Sequence, residues 1–323
     1  MINIPAWMFL SSFESLREYL VSNTFICNML HFGRGVFGAD FGTTAFVIQK
    51  LYLPDYLGSF RRLFDKPSYV DDIAIKEKWF FDGKGIFYSK MDSYKQIPGT
   101  PIAYWIGESI KTAFSGTLLG DYGKTRQGFA TGDNDKFLYL WYEIPFKKIG
   151  FKEKNYEEFL NSEYEYAPCN KGGDYRKWYG NNYIVCRFNK EAFNILSNQG
   201  NHLPSKDYYF KKGLTWSALS IGTLSMRYAE EGFVFETKGS RFFANDEKDL
   251  AFILGLMNSS VAMEILKVLC PTVDFHEGPV SKVPVIVKDT ELVDPLVYEN
   301  IQLAKLDWDS YETSWGFSKH PLV

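Results

Sequence analysis

The richest concentration of residues that could bind an anion runs from Gly116 to Trp141 and reads GTLLGDYGKTRQGFATGDNDKFLYLW. Five glycines punctuate it, and Lys124 and Arg126 stand between them. Glycine lets a backbone approach a ligand closely, and neighbouring cations favour an anionic one. The aromatic run FLYLWYEI that follows is typical of a strand. The segment therefore predicts an anion-binding loop leading into a strand, and the anion is either a nucleotide phosphate or a nucleic-acid backbone.

Two short motifs resemble nucleotide-binding loops. Residues 33–38, GRGVFG, match G-x-G-x-x-G, but the residues that follow predict a strand and not the helix that receives a pyrophosphate. Gly123-Lys124-Thr125 resembles the end of a P-loop, yet Leu118 stands where that pattern needs glycine. The sequence RQGFATGDND after it is also poor in helix formers. The residues in and around both motifs therefore argue against nucleotide binding.

The second half of the opening stretch has two interpretations. Asp133-Asn134-Asp135 lacks the later glycine and the closing glutamate of a calcium loop. It is either a tight hairpin turn or a DNA-facing loop. In the second case Thr131, Asn134 and Lys136 would donate to phosphates or bases.

The strongest cluster for nucleic-acid chemistry is KGGDYRKWYGNN, residues 171–182. Its candidate contacts are three cations, two of its three aromatic rings and two amides, namely Lys171, Arg176, Lys177, Trp178, Tyr179, Asn181 and Asn182. Cations neutralise phosphates, rings stack on bases, and an amide can pair bidentately with adenine. The alternative is an exposed turn whose aromatic rings pack inward. Thr215-Trp216-Ser217 and Arg227-Tyr228 repeat the theme more weakly, and for them sheet packing with a solvated arginine is favoured.

Composition limits the other classes of function. The 323 residues predict about two domains, and the net charge of −3 gives no sign of nucleic acid. The distribution is more informative, because residues 171–190 hold five cations and one acid whereas residues 246–323 hold six cations and thirteen acids. The four cysteines form no CxxC pair, which predicts free thiols in a reducing cytoplasm and no zinc site. Neither a membrane-spanning apolar run nor a signal peptide is recognisable, so a cytoplasmic protein without a membrane partner is expected.

The pattern of elements predicts an α/β fold. Residues 1–55 indicate strand, helix, strand and strand, with the helix starting near Ser11 and the strands at 25–32 and 43–53. Residues 56–94 are predicted as a connector, and the two prolines of 97–107 as a domain boundary. Beyond it, short aromatic strands alternate with turns. An acidic helix is predicted within 151–165, one long helix over 247–269 and a strand over 280–287.

Several segments together resemble one family. They are the N-terminal MINIPAWMFLSSFESLRE, then TGDNDKFLYLW, KGGDYRKWYGNN, LTWSALS, GFVFETKGS, LGLMNSSVA and LDWDSYETSWGF. In this order they resemble the C-terminal half of the large PglX-like adenine-specific DNA methyltransferases of BREX phage-defence systems, and also the related type IIG restriction-modification enzymes. The resemblance covers residue 1 to about residue 320.

The resemblance implies different roles for different parts of the chain. Residues 1–55 would be the last strands of an S-adenosylmethionine-dependent methyltransferase domain, and residues 95–290 a mixed α+β target-recognition domain for duplex DNA. Residues 291–323 would be a truncated acidic segment. Such enzymes flip the target adenine out of the duplex, so the recognition part has to hold the DNA around it.

The chain departs from the family in one respect. The family holds the flipped adenine with [DNS]-P-P-[YF], and no two of the 13 prolines here are adjacent. The glycine-rich loop for the methyl donor would also lie upstream. We therefore expect no catalytic residue and no cofactor in this chain, with S-adenosylmethionine belonging to the complete enzyme. The predicted partners are double-stranded DNA, the missing N-terminal catalytic half and other phage-defence proteins.

The predicted function is sequence-specific duplex-DNA recognition for an adenine N6-methyltransferase, without methyl transfer by the chain alone. Side chains expected to position phosphates are Lys124, Arg126, Lys136, Lys171, Arg176 and Lys177, and those expected beside bases are Asn134, Trp178, Asn181 and Asn182. Thr131, Tyr179 and Arg227 complete the expected DNA contacts. The alternative is a non-catalytic interaction module that docks on the catalytic half or on other defence proteins, which the acidic, aromatic DWDSYETSWGF suits.

Overall fold

The computed structural model describes residues 1–38, 41–65, 69–220, 222–271, 274–286, 289–320 and 322. Its α-helices are α1 Glu14–Asn23, α2 Ile73–Phe81, α3 Glu108–Ala113, α4 Leu119–Tyr122, α5 Asn134–Phe137, α6 Tyr156–Asn161, α7 Lys190–Asn198, α8 Asp249–Met257, α9 Ser260–Leu269, α10 Glu277–Val280 and α11 Thr290–Asp309. Its strands are β1 Ile2–Asn3, β2 Phe25–Gly33, β3 Thr43–Gln49, β4 Leu57–Arg62, β5 Ile86–Lys90, β6 Gly123–Arg126, β7 Leu138–Leu140, β8 Tyr166–Asn170, β9 Ile184–Arg187, β10 Gly213–Trp216, β11 Met226–Ala229, β12 Val234–Phe235 and β13 Arg241–Ala244. The predicted α/β class is confirmed. The chain forms two compact units, Met1–Gly116 and Thr117–Val323, called unit 1 and unit 2 below.

Unit 1 is built on a five-stranded sheet in the order β1-β3-β2-β4-β5. Strands β2 and β4 are parallel, and the other neighbours are antiparallel. The strands predicted at 25–32 and 43–53 and the helix after Ser11 are all present, because each carries a clear apolar pattern. The helix starts at Glu14, however, and no side chain caps its first turn.

The two faces of this sheet differ sharply. One cross-strand row, Phe46–Met29–Phe60–Phe87, faces the core beside Trp7, Tyr94 and Tyr104. Because side chains alternate along a strand, the neighbouring positions face the other way. There Ile2 is 67% exposed, Val47 52% and Tyr88 64%. The sheet therefore has a packed face and an open face, on which Asn28 and Ser59 lie between Val47 and Tyr88.

The predicted connector and boundary are corrected by the sheet. Strands β4 and β5 both lie within residues 56–94, so this segment is part of unit 1 and not a link between domains. The proline-containing stretch 97–107 lies inside the same unit, where Ile102 and Tyr104 are buried in the core. The first unit ends at Gly116. Prolines flanking an apolar run mark a turn on the surface of a core as readily as a linker.

Unit 2 contains two four-stranded sheets, in the orders β11-β10-β13-β6 and β12-β8-β9-β7. The first is antiparallel throughout, and the second pairs β12 with β8 in parallel. A mainly aromatic core lies between the second sheet and helices α6 and α7 and includes Phe129, Phe159, Phe188, Phe210 and Phe235. The high aromatic content of the sequence is thus largely structural.

The predicted long helix over 247–269 is divided into α8 and α9. Asn258 leaves the helix and uses its amide to accept a hydrogen bond from the Met226 backbone N–H (2.9 Å) and to donate one to the Met226 carbonyl (2.9 Å). Ser259 then caps α9 by accepting from the Ala262 N–H. A tertiary contact therefore overrides a helical apolar pattern that is continuous in sequence.

Two other predicted elements are shorter than expected. The acidic helix of 151–165 is reduced to α6, capped by the Asn155 side chain. In place of the strand over 280–287, Val283 and Val285 make backbone hydrogen bonds with Leu119 and Thr117, and residue 287 lies outside the described residues.

The described residues contain no single helix that is long and apolar enough to cross a membrane. Helices α8 and α9 reach that length and composition only when taken together across a bend of 72°. The four cysteines are free thiols, and Cys169, Cys186 and Cys270 are buried.

Candidate nucleic-acid interface

The glycine-rich stretch that opens unit 2 is a strand and not a phosphate loop. Gly123-Lys124-Thr125 belongs to β6, which pairs with β13, and the stretch after it is not helical. A side chain at Gly123 would lie 2.2 Å from the Phe243 carbonyl oxygen, so this glycine serves strand packing. The prediction that no P-loop forms here is confirmed.

The second glycine motif, residues 33–38, also offers no cradle for a nucleotide or for S-adenosylmethionine. Gly33 has φ +70° and is packed so closely that an added Cβ would lie 2.7 Å from Phe64 Cδ1. The next described element is strand β3, so no helix N-terminus is directed at a phosphate. This loop therefore does not fit the methyl donor.

Asp133-Asn134-Asp135 forms one turn of helix, α5, and not a hairpin turn. The Asp133 carboxylate caps it by accepting from the Lys136 N–H at 3.2 Å. The Thr131 hydroxyl donates to Asn134 Oδ1 at 2.6 Å, which leaves the amide N–H₂ of Asn134 pointing away from that bond. Asn134 and Lys136 are exposed, and β7 follows as predicted.

The cluster 171–182 is a tightly built loop. Trp178 and Asn181 have left-handed φ values of 74° and 60°, and Gly180 has φ 119°. The Asn181 amide donates to the Asp174 carbonyl at 2.9 Å. The Tyr179 ring is buried, and this burial together with the Glu230 carboxylate raises the pKa of its hydroxyl to about 12. The inward-packing alternative therefore describes its aromatic and amide side chains.

Two of the three cations of this loop are occupied within unit 2. Arg176 donates to Asp307 Oδ2 at 2.8 Å, and its guanidinium lies 5.1 Å from the centre of the Trp308 ring. Lys177 donates to the Asn258 carbonyl at 2.7 Å. Helix α11, which the sequence assigned to a truncated segment, thus covers the loop.

Arg227 is internal as well. It is 1% exposed and donates to the Arg176 carbonyl at 3.2 Å. Burial lowers the pKa of its guanidinium to about 10, since the charged form loses its hydration. The expectation of a solvated arginine at this position is wrong, because β11 turns this side chain toward the interior.

The predicted site residues fall into three groups by exposure. Exposed are Lys124, Asn134 and Lys136; half-buried are Arg126, Lys171, Arg176, Lys177 and Trp178; buried are Thr131, Tyr179, Asn181, Asn182 and Arg227. Contact of the buried group with DNA stays a prediction, and in this conformation these side chains have a packing role. The structure does not gather the thirteen residues into one surface.

The structure instead reveals a cleft that the sequence patterns did not predict. It has a volume of about 260 Å³ and is lined by four lysines and three aromatic rings, namely Lys124, Lys154, Lys211, Lys212, Tyr208, Phe210 and Phe243. We call it the lysine cleft. Of these residues only Lys124 was predicted. A local signal exists in KDYYFKKG, residues 206–213, where three lysines flank three aromatic residues.

Arg126 packs against Tyr208, one of the residues that line the lysine cleft. Its guanidinium donates to the Tyr208 hydroxyl at 3.1 Å and lies 4.6 Å from the centre of that ring. The Nε of Arg126 is buried without a hydrogen-bond partner among the described residues. The group is thus held by a ring and one hydroxyl, with no carboxylate neutralising it.

No metal centre is apparent in the described part of the chain, where His, Cys, Asp and Glu do not gather in groups of three or more.

The chain is similar in sequence to two known adenine-specific methyltransferases. It is 35% identical over its whole length to the adenine-specific methyltransferase PglX of Lacticaseibacillus casei (strain Zhang), of which it covers 28%. It is likewise 35% identical over its whole length to the adenine-specific methyltransferase BrxX of Escherichia coli O9:H4 (strain HS), of which it covers 26%. No protein-family model matches.

Among solved structures, the type IIL restriction-modification enzyme MmeI, solved in complex with DNA, aligns with 98% of this chain and 42% of its own. The TM-score is 0.54 and the identity 9%, so this likeness is one of fold alone. The chain is thus related over its full length to a segment of the PglX-type adenine-specific methyltransferases, and it spans about a quarter of the length of the relatives it matches.

Proposed function

We propose that this chain supplies duplex-DNA recognition to an adenine N6-specific DNA methyltransferase of a BREX or restriction-modification defence system. The observation that carries the proposal is the similarity to PglX and BrxX over every part of the chain. The fold shared with MmeI, which was solved bound to DNA, supports it. Unit 2 would be the target-recognition part, and unit 1 would be the end of the methyltransferase sheet.

Methyl transfer would depend on residues outside this chain. The chain lacks adjacent prolines, so the tetrapeptide that holds a flipped adenine would come from the rest of the enzyme. The same would hold for S-adenosylmethionine, because Gly33 in the glycine loop of unit 1 is packed against Phe64 and strand β3 follows the loop. When bound there, S-adenosylmethionine supplies the methyl group. The residues of this chain would fix the DNA position relative to that centre.

Among the predicted contacts, the exposed side chains are the best placed for this role. Lys124 and Lys136 would neutralise phosphates. Asn134 would address a base edge, since its N–H₂ group is not used by the hydrogen bond from Thr131. Base contacts specify a site whereas phosphate contacts only position the protein.

A randomised duplex pool tests the proposal. We expect repeated selection at rising salt to enrich one short site that contains adenine. Asn134→Ala should relax the preference at one position by less than the roughly 1–3 kcal/mol of a bidentate base contact, because Oδ1 accepts from Thr131 and the N–H₂ group makes the contact. Asn161→Ala, which removes another exposed amide outside the loop, serves as the matched control. A pool that stays random at every salt concentration contradicts sequence-specific recognition.

The alternative of a docking module is favoured by one observation, the open face of the unit 1 sheet. Ile2, Val47 and Tyr88 lie on this face and are more than half exposed. Apolar patches of this kind usually mark interaction surfaces. Since the chain spans about a quarter of its relatives, the occupant we propose is the catalytic part of the methyltransferase.

Co-expression with the remaining part of a PglX relative tests this docking. We expect the wild-type chain to co-purify with it, and Val47→Asp combined with Tyr88→Asp to abolish co-purification, because two charges would be buried in an apolar contact. The matched control is Leu292→Asp with Leu306→Asp, two exposed leucines of α11 in unit 2. Equal retention of both double variants would exclude the sheet face as the docking surface.

A further inference from the structure

We propose that the lysine cleft binds consecutive phosphodiester groups of a nucleic-acid backbone. This inference rests on the proposed function and adds the surface along which the backbone runs. The cleft is assembled from five separate stretches of unit 2, at Lys124, Lys154, residues 208–212, Glu231 and residues 243–250. It therefore exists only in the folded unit.

The cleft carries uncompensated positive charge. Its lining contains four lysines against Glu231 and Glu247, a surplus of two. Glu247 forms an ion pair with Lys212. Among the described residues, the ammonium groups of Lys124 and Lys154 have no carboxylate within ion-pairing distance. A cleft with one sign of charge raises the local concentration of an oppositely charged ligand.

Two cations share one aromatic ring at the edge of this cleft. The Arg126 guanidinium is 4.6 Å and the Lys211 ammonium 5.4 Å from the centre of the Tyr208 ring. Each cation gains from the ring, and together they add positive charge at this edge of the cleft, which favours a ligand that brings negative charge.

The chemistry of the lining favours a polyanion over a single small anion. Lysine is a point charge on a flexible stem, suited to phosphates that are spaced along a chain. Behind the lysines lie Phe210 and Phe243, which are 0% and 7% exposed and give the cleft an apolar floor. Such a floor suits the sugars between successive phosphates.

The contrast with the loop at 171–182 strengthens the assignment. There the Arg176 guanidinium is paired with the Asp307 carboxylate, and the Lys177 ammonium donates a hydrogen bond to a backbone carbonyl. Local sequence charge was highest in that loop, but Arg176 and Lys177 are already engaged there, whereas Lys124 and Lys154 of the lysine cleft have no ion-pair partner among the described residues. Counterion release makes binding through such a surface strongly dependent on salt.

The test is fluorescence anisotropy with a short labelled duplex over a series of salt concentrations. Lys124→Gln combined with Lys211→Gln is expected to weaken binding at least tenfold at low salt. It should reduce the slope of log K against log salt by about 2, at roughly 0.9 for each phosphate released. Lys147→Gln with Lys190→Gln removes the same charge from exposed lysines outside the cleft and should leave affinity within about twofold and the slope unchanged.

The outcomes separate this inference from the proposed function. If the wild-type chain does not bind duplex at low salt, both the lysine cleft assignment and the proposed DNA recognition are wrong. If both double variants bind alike, the lysine cleft assignment is overturned while DNA recognition stands. If inorganic phosphate displaces the duplex at constant ionic strength, the cleft is a small-anion site, which also overturns the assignment. Should the first variant unfold, Lys154→Gln with Lys211→Gln replaces it, and it is judged by the same slope.

Discussion

Replacing Arg17 with alanine is expected to lower the free energy of unfolding of unit 1 by about 2–4 kcal/mol. The side chain is 1% exposed, and burial lowers the pKa of its guanidinium. Its Nε and Nη2 donate to the Gly99 carbonyl at 3.0 and 2.7 Å. Its Nη1 donates to the carbonyls of Trp7 and Leu10 at 3.1 and 2.7 Å. Truncation therefore removes a donor from three backbone carbonyls, of which that of Leu10 keeps a second donor, the Phe13 N–H at 3.0 Å.

Hydrogen exchange measured by peptide checks this expectation, because it reports on each unit separately. Protection should fall in residues 1–116 and stay unchanged in residues 117–323. Arg17→Lys keeps the charge but not the planar fork that reaches several carbonyls, so it should fall between wild type and alanine. If alanine and lysine variants exchange like wild type, the three carbonyls are satisfied in another way.

Arg17 belongs to the ESLRE sequence that took part in the family resemblance, and its role illustrates a general point. The segments that make the family recognisable here are mostly scaffolding. Asn258 in LGLMNSS holds the Met226 backbone, and Asn181 in KWYGNN holds the Asp174 carbonyl. Motif residues with polar side chains were therefore easy to take for DNA contacts when they satisfy buried backbone groups.

The sequence sufficed for elements whose pattern is local. Strands β2 and β3 and helix α1 follow from apolar periodicity, and the exclusion of a P-loop follows from Leu118 in place of a glycine and from the lack of helix formers after Thr125. The break between α8 and α9 could not be predicted in this way, since it depends on Asn258 reaching a strand 32 residues away. Element boundaries set by tertiary contacts leave no mark on local periodicity.

The candidate site depends even more on tertiary contacts. Lys124, Lys154 and Lys211 become neighbours only because β6 pairs with β13 and the segment before β10 packs beside them. Conversely, the run Arg176-Lys177 looked like a phosphate contact because Asp307, its neutralising partner, is 131 residues away. Charge counted along the sequence gives the number of cations, whereas the fold determines which of them are paired with a carboxylate.

Trp216 offers the sharpest distinction between a scaffolding and a DNA-reading role for these motifs. It lies in LTWSALS, it is fully buried, and its indole N–H donates to the Phe275 carbonyl at 2.8 Å. Trp216→Ala should destabilise unit 2 by about 3–5 kcal/mol through the cavity left behind. Trp216→Phe keeps most of the apolar volume but orphans the Phe275 carbonyl, at about 1–3 kcal/mol.

The two variants at Trp216 should rank by stability and not by DNA affinity. Urea unfolding, followed by hydrogen exchange in residues 117–323, is expected to show the highest stability for the wild type, a lower one for the phenylalanine variant and the lowest for the alanine variant. Under conditions where the phenylalanine variant remains folded, it should bind duplex DNA with the wild-type salt slope, because the indole is out of reach of a ligand. A phenylalanine variant with unchanged stability but weakened DNA binding would instead place Trp216 against a base and reverse the division between scaffold and lysine cleft.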